Sequence, residues 1–146
     1  MHLSDDAPLS GRFQLSIRNR CGALLDSQDE PNLIVNGAKN QLARLVAGSG
    51  ANRHITHIGF GVGTAAPAPG NTGLSSALWK PVTSVEYPAD GQVAFSWSLA
   101  TSEANGLAIT EFGLRCADGT LFARKVRNPI HKSDDLSLTG VWTLMF

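Results

Sequence analysis

Histidine and carboxylate side chains are the first places to look for chemistry in this chain, because they exchange protons most readily. His54 and His57 stand three residues apart. On a helix that spacing would put both on one face, but the surrounding residues read as a strand, which sends them to opposite faces. No HExxH pattern and no run of carboxylates completes a zinc site beside them. His131 falls in a polar loop and His2 in the N-terminal segment, so no metal is expected. A serine nucleophile on a GxSxG elbow is also missing. The run GFGVG at 59–63 suggests a phosphate loop, yet Thr64, Ala65, Ala66 and Pro67 follow where a phosphate-binding helix would have to open. No nucleotide or other cofactor is expected. Those glycines are read as close backbone approaches between packed elements.

Among the acids, Glu111 stands out because it lies inside an apolar run. Arg115, Arg124, Lys125 and Arg127 are available on neighbouring strands. A cross-strand ion pair is less costly there than a lone buried carboxylate. Asp134-Asp135 read as a turn before the last strand. The cluster Arg124-Lys125-Val126-Arg127 raises the question of nucleic acid. Alternation divides it between two faces, no aromatic residues interleave it, and twelve basic side chains balance twelve acidic ones. No nucleic-acid partner is expected; Arg124 and Arg127 are assigned to an outward edge or an interface with an acidic neighbour. No catalytic residue is assigned, and the chain is not expected to be an enzyme.

The elements that would position these residues are mostly strands. Phe13, Leu15 and Ile17 alternate with Arg12, Gln14, Ser16 and Arg18, a half-buried strand whose charged face suits an edge. Asn32 to Ala47 carries Ala38, Leu42, Leu45 and Val46 on one helical face, with Asn32 or Asn36 as a cap and Gly48-Ser49-Gly50 as the stop. Ile55 to Gly63 reads as a strand, Thr64 to Gly73 as a Pro/Gly-rich loop, and Leu74 to Trp79 as a short helical turn. Val82–Tyr87 and Gln92–Leu99 make a hairpin. From Val93 to Phe146, four alternating runs with Asn-Gly and Asp-Gly between them read as an antiparallel sheet. Trp97 and Trp142 have core parity. The expected fold is mainly β, an antiparallel β-sandwich with one α-helix packed on it.

At 146 residues the chain divides into an arm, 1–11, and a single β-rich domain, 12–146. Cys21 and Cys116 have no metal-like spacing; a buried free thiol is the favoured reading of Cys116, with a disulfide as the alternative. The N-terminus lacks the basic start and apolar core of a signal peptide, and no apolar run approaches the ~20 residues that span a bilayer. A soluble compartment and no membrane partner are expected.

The segments NLIVNGAKNQLARLVAG, HITHIGFGVGTAAPAPGNTGL, VAFSWSLATSEANGLAITEFGLRCADGTLFARKV and LTGVWTLMF, in that order, resemble small virion structural proteins of tailed bacteriophages. Similar segments occur in tail-fibre, collar and baseplate-associated proteins, and the likeness covers about Asn32 to Phe146. It implies a non-enzymatic assembly component located in the virion after synthesis in the host cytoplasm. Its partners would be other copies of itself, in a ring or trimer, and other virion proteins. Candidate interface residues are Leu3 and Pro8 in the arm, Pro67 and Pro69 in the loop, Trp79, Arg124 and Arg127. Two alternatives stand beside this: a capsid decoration protein, and a host-surface carbohydrate-binding module using exposed Trp or Tyr such as Trp79 and Tyr87.

Overall fold

The computed structural model describes residues 9–146, and the elements named here are those of the described residues. In chain order they are β1 (Ser10–Asn19), β2 (Leu24–Ile34), α1 (Asn36–Val46), β3 (Ile55–Gly61), β4 (Leu78–Pro81) and β5 (Ser84–Glu86), then β6 (Gln92–Leu99), β7 (Ala108–Cys116), β8 (Leu121–His131) and β9 (Leu136–Met145). The strands form one curled antiparallel sheet in the order β4-β3-β7-β8-β2-β1-β9-β6-β5. The mainly β body with a single helix that the sequence predicts is what forms.

Two stretches of chain turn the corners. Strand β2 pairs with β1 from Leu24 to Asn32, then passes to the other half, where Leu33 and Ile34 pair with Arg124 and Ala123 of β8. On the far side, the outermost strands β4 and β5 are consecutive in the chain. Between them Val82 N–H donates to Thr56 O of β3 at 3.0 Å, and Thr83 N–H donates to Ser96 O of β6 at 2.8 Å. The sheet therefore curls until a single segment serves both ends, leaving little free edge.

This arrangement corrects several expectations. Strand β1 is no edge: β2 and β9 flank it, and its charged Arg12 is matched across the strands by Asp29. The four C-terminal runs are strands of the antiparallel sheet, as expected, but not in sequence order: β6 pairs with β9 in one half and β7 with β8 in the other. The helix begins at Asn36 because Asn32, Leu33 and Ile34 complete β2. Its N-cap, Val35, offers no side-chain oxygen; Asn36 N–H donates to Pro69 O of the Pro-rich loop at 2.8 Å. Of its apolar stripe, Ala38 is buried and Leu42 half-buried, whereas Leu45 and Val46 stand in solvent. Leu74 to Ala77 bend without helix, and Leu78 and Trp79 belong to β4.

Between the two halves lies an aromatic core. Phe13 of β1 sits 4.8 Å from Phe112, 5.0 Å from Trp142 and 5.9 Å from Trp97, ring centre to ring centre. Phe60 joins Trp97 at 5.5 Å and Phe112 at 5.7 Å. Trp97 and Trp142 are core residues, as their parity predicts. Trp97 lies across Gly140, where a Cβ would collide with the indole, so that strand position demands glycine. Cys116 is a buried free thiol, and Cys21 is a separate free thiol exposed at the β1–β2 turn.

Candidate functional site

Strand β7 is covered on both faces. A register shift between Ile109 and Glu111 lets both Ile109 and Phe112 reach the core, which leaves Glu111 and Gly113 on the outer face. That outer face lies beneath the chain from Val62 to Ser75. Gly59, Gly61 and Gly63 alternate with Ile58, Phe60 and Val62, and the missing side chains make the room. A Cβ on Gly59 would strike the Trp79 ring, and one on Gly63 would strike the Glu111 carboxylate.

Glu111 is 1% exposed, and its Oε1 faces Arg124 Nε at 3.5 Å, on the diagonal between β7 and β8. The cross-strand ion pair read from the sequence therefore forms with Arg124. Arg124 Nη1 also donates to Asn71 Oδ1 at 3.1 Å, and the Ser75 N–H points at both Glu111 oxygens at 3.4 Å. Thr110 Oγ1 donates to Gly63 O at 2.7 Å, and Val62 N–H to Ser75 O at 3.0 Å. The Pro-rich segment is thus strapped to its own sheet. Pro67 and Pro69 are exposed on top of it.

The other predicted interface residues fare differently. Leu3 and Pro8 lie outside the described residues. Arg124 is buried in the ion pair. Arg127 is spent within the chain too, donating to Gln28 Oε1 at 3.0 Å and Asp26 Oδ2 at 3.3 Å; Lys125 similarly holds Glu30 at 2.7 Å. The acidic neighbour of this basic cluster is β2. These side chains bridge the divergence of β2 and β8, where Pro31 and Pro129 also remove strand donors. Trp79 is half-buried between Gly59 and Arg115, whose guanidinium carbon sits 4.3 Å from the ring centre. Arg115 thus covers one face of the ring, whereas Tyr87 is far more exposed.

Sequence reasoning missed a second charged cluster. Lys80 Nζ donates to Glu103 Oε1 and to Ser98 O, both at 2.7 Å, while the Ala100 N–H donates to Glu103 Oε1 at 2.9 Å. Lys132, 2% exposed, donates to Asn105 Oδ1 at 2.9 Å and Ser133 O at 3.0 Å. Two ammonium groups therefore fix the turn from Ala100 to Gly106. Desolvation pulls Lys132 below the usual lysine range, against the attraction of Glu103 and Asp134. The Lys80 ammonium, followed by the Ala100 N–H, holds the Glu103 carboxyl below its ordinary range. A carboxyl depressed in the folded state contributes stability that is present above its unfolded pKa and is lost as pH falls through its folded value. The urea midpoint of the wild type should therefore fall more steeply than that of Glu103→Gln between roughly pH 5 and pH 3. Parallel curves would show that this contact adds no acid-sensitive stability.

The surface recesses of the described residues include two. One is a shallow groove over the outer face of β1, β9 and β6, lined by Gln14, Ser16, Ser96, Ser98 and Thr139. The other is a cleft of about 460 Å³ with Tyr87 and Phe146 at its mouth and Asp90, Gly91 and Gln92 between them. Comparison with protein-family models, curated proteins and solved structures finds no match to this chain. Residue chemistry must carry the functional argument. Glu111, Arg124, Lys80, Glu103 and Lys132 are satisfied by partners within the chain, and their evident work is to pin loops. Large apolar side chains also stand in solvent: Leu24, Leu25, Leu45, Val46, Leu78, Val85, Tyr87 and Phe146.

Proposed function

We propose that this protein is a structural component of a bacteriophage particle, acting through contacts with other copies of itself and with neighbouring virion proteins. The observation that carries this reading is the placement of large apolar side chains in solvent as adjacent pairs. Leu24 and Leu25, just after the β1–β2 turn, are 53% and 56% exposed; Leu45 and Val46, ending α1, are 42% and 88% exposed. Covering a leucine or valine fully is worth about 1.5–3 kcal/mol, so such pairs are natural anchors for a protein partner. The order of segments from Asn32 to Phe146, which resembles small virion proteins of tailed phages, supplies the biological setting.

The closed sheet directs how contact is made. With corners turned and edges guarded by prolines and ion pairs, neighbours dock on tips and faces rather than by adding strands. A repeated head-to-tail contact whose rotation closes gives a ring, with a trimer as the smallest. Mass measurement of the purified chain at micromolar concentration should show a closed oligomer. Leu25→Asp combined with Val46→Asp should return it to single chains with an unchanged melting temperature. A wild type that stays a single chain at high concentration, and labelling that leaves intact particles bare, would sink the proposal.

A further inference from the structure

The geometry points to a saccharide-binding site in the cleft between Tyr87 and Phe146. Tyr87 follows β5 and is 78% exposed; Phe146 follows β9 and is 56% exposed. Between them the backbone is held firmly. Phe146 N–H donates to Gly91 O at 2.8 Å, and Gln92 N–H donates to Ala89 O at 3.1 Å, closing the turn that joins β5 to β6. Gly91 has φ +74°, a left-handed conformation that favours glycine, and a Cβ there would press on Phe146 O at 3.3 Å. The two exposed aromatic residues thus flank a hydrogen-bonded turn.

The chemistry of the lining matches a pyranose ring. A sugar offers an apolar C–H face on one side and hydroxyls around its rim. An exposed aromatic ring supplies a flat apolar surface for the first. For the second, the Asp90 carboxylate accepts hydrogen bonds, and the Gln92 amide both donates and accepts. The recess of about 460 Å³ is wide open, nearer a flat surface than an enclosed pocket, so a sugar would lie across it rather than be enclosed. A purely apolar partner would leave Asp90 and Gln92 desolvated without hydrogen bonds. This inference is independent of the assembly reading, whose variants Leu25→Asp and Val46→Asp lie outside the cleft.

The test is a titration of the full chain, followed by amide NMR shifts and calorimetry. The probes are chitotriose, maltotriose, cellotriose and the core oligosaccharide of lipopolysaccharide, with choline as the cationic control. At least one saccharide should bind at millimolar concentration or below and shift the Gly91, Gln92 and Phe146 amides. Tyr87→Ala should weaken that binding by at least about tenfold, while Tyr87→Phe, which keeps the ring, should bind as the wild type does. Asp90→Asn should weaken it with no change in melting temperature. The site is overturned if none of the saccharides shifts those amides, if binding survives Tyr87→Ala, or if choline alone binds.

Discussion

Arg124→Met is expected to lower the unfolding free energy by about 3–5 kcal/mol, because it leaves the Glu111 carboxylate buried without its counter-charge. Glu111 is 1% exposed and the Arg124 side chain 5%, so water cannot take the place of the missing partner. The same substitution removes the hydrogen bond from Nη1 to Asn71 and loosens the strap over β7. Paired with Glu111→Leu, it should recover a large part of the loss, since two apolar groups of similar bulk carry no desolvated charge. Urea denaturation of the two single variants and the double variant gives the coupling directly. The strap supplies a second readout: the Ser75 amide, which points at Glu111, should exchange faster with solvent in Arg124→Met. A loss below about 1 kcal/mol would mean that the pair behaves as an exposed one.

The ion pair also shows how far the sequence can be followed. Glu111 within an apolar run, with arginines on the next strand, is enough to predict a cross-strand pair, and Arg124 is the partner. What cannot be read is that the pair lies on the outer face under a second layer of chain. The signal is present in Ile58-Gly59-Phe60-Gly61-Val62-Gly63, where glycine takes every second position. Period two with no side chain on one face means that something else occupies that face, here Trp79 and Glu111. The intrachain contacts of Arg124, Arg127 and Trp79 are hidden for a related reason. Charge and ring size are visible in a sequence, but the partners that consume them, Glu111, Asp26 and Arg115, come from distant strands.

Strand existence is legible because alternation is local; strand neighbours are not. Val93–Leu99 and Leu136–Met145 pair with each other across the two strands that intervene in the sequence, a long-range choice set by the closing of the sheet. The helix start differs from the expected one because Asn32 to Ile34 suit either element. Pairing of Leu33 and Ile34 with β8 decides it. The exposed cleft at Tyr87 and Phe146 joins residues far apart in the chain, and Phe146 carries no sequence signal beyond its place at the end of an alternating run.

Phe13→Ala is expected to cost about 3–5 kcal/mol, the range for removing a large aromatic ring from a packed core. Its ring is the meeting point of both halves of the sheet: Trp97 and Trp142 belong to one, Phe112 to the other. Neighbours of that size cannot collapse readily into the space, because Trp97 is already set against Gly140 and Phe60. Phe13→Leu, which keeps most of the volume, should cost much less. A double-mutant cycle with Phe112→Ala should show coupling of about 0.5–1.5 kcal/mol beyond the area lost, as expected for rings in tilted contact at 4.8 Å. The consequence reaches the surface. Leu24 and Leu25 lie on β2, which pairs along β1, the strand that carries Phe13, so oligomer formation by Phe13→Ala should fall in step with its thermal unfolding. If Phe13→Ala unfolded at the wild-type midpoint, the two halves would be held together by something other than this aromatic junction.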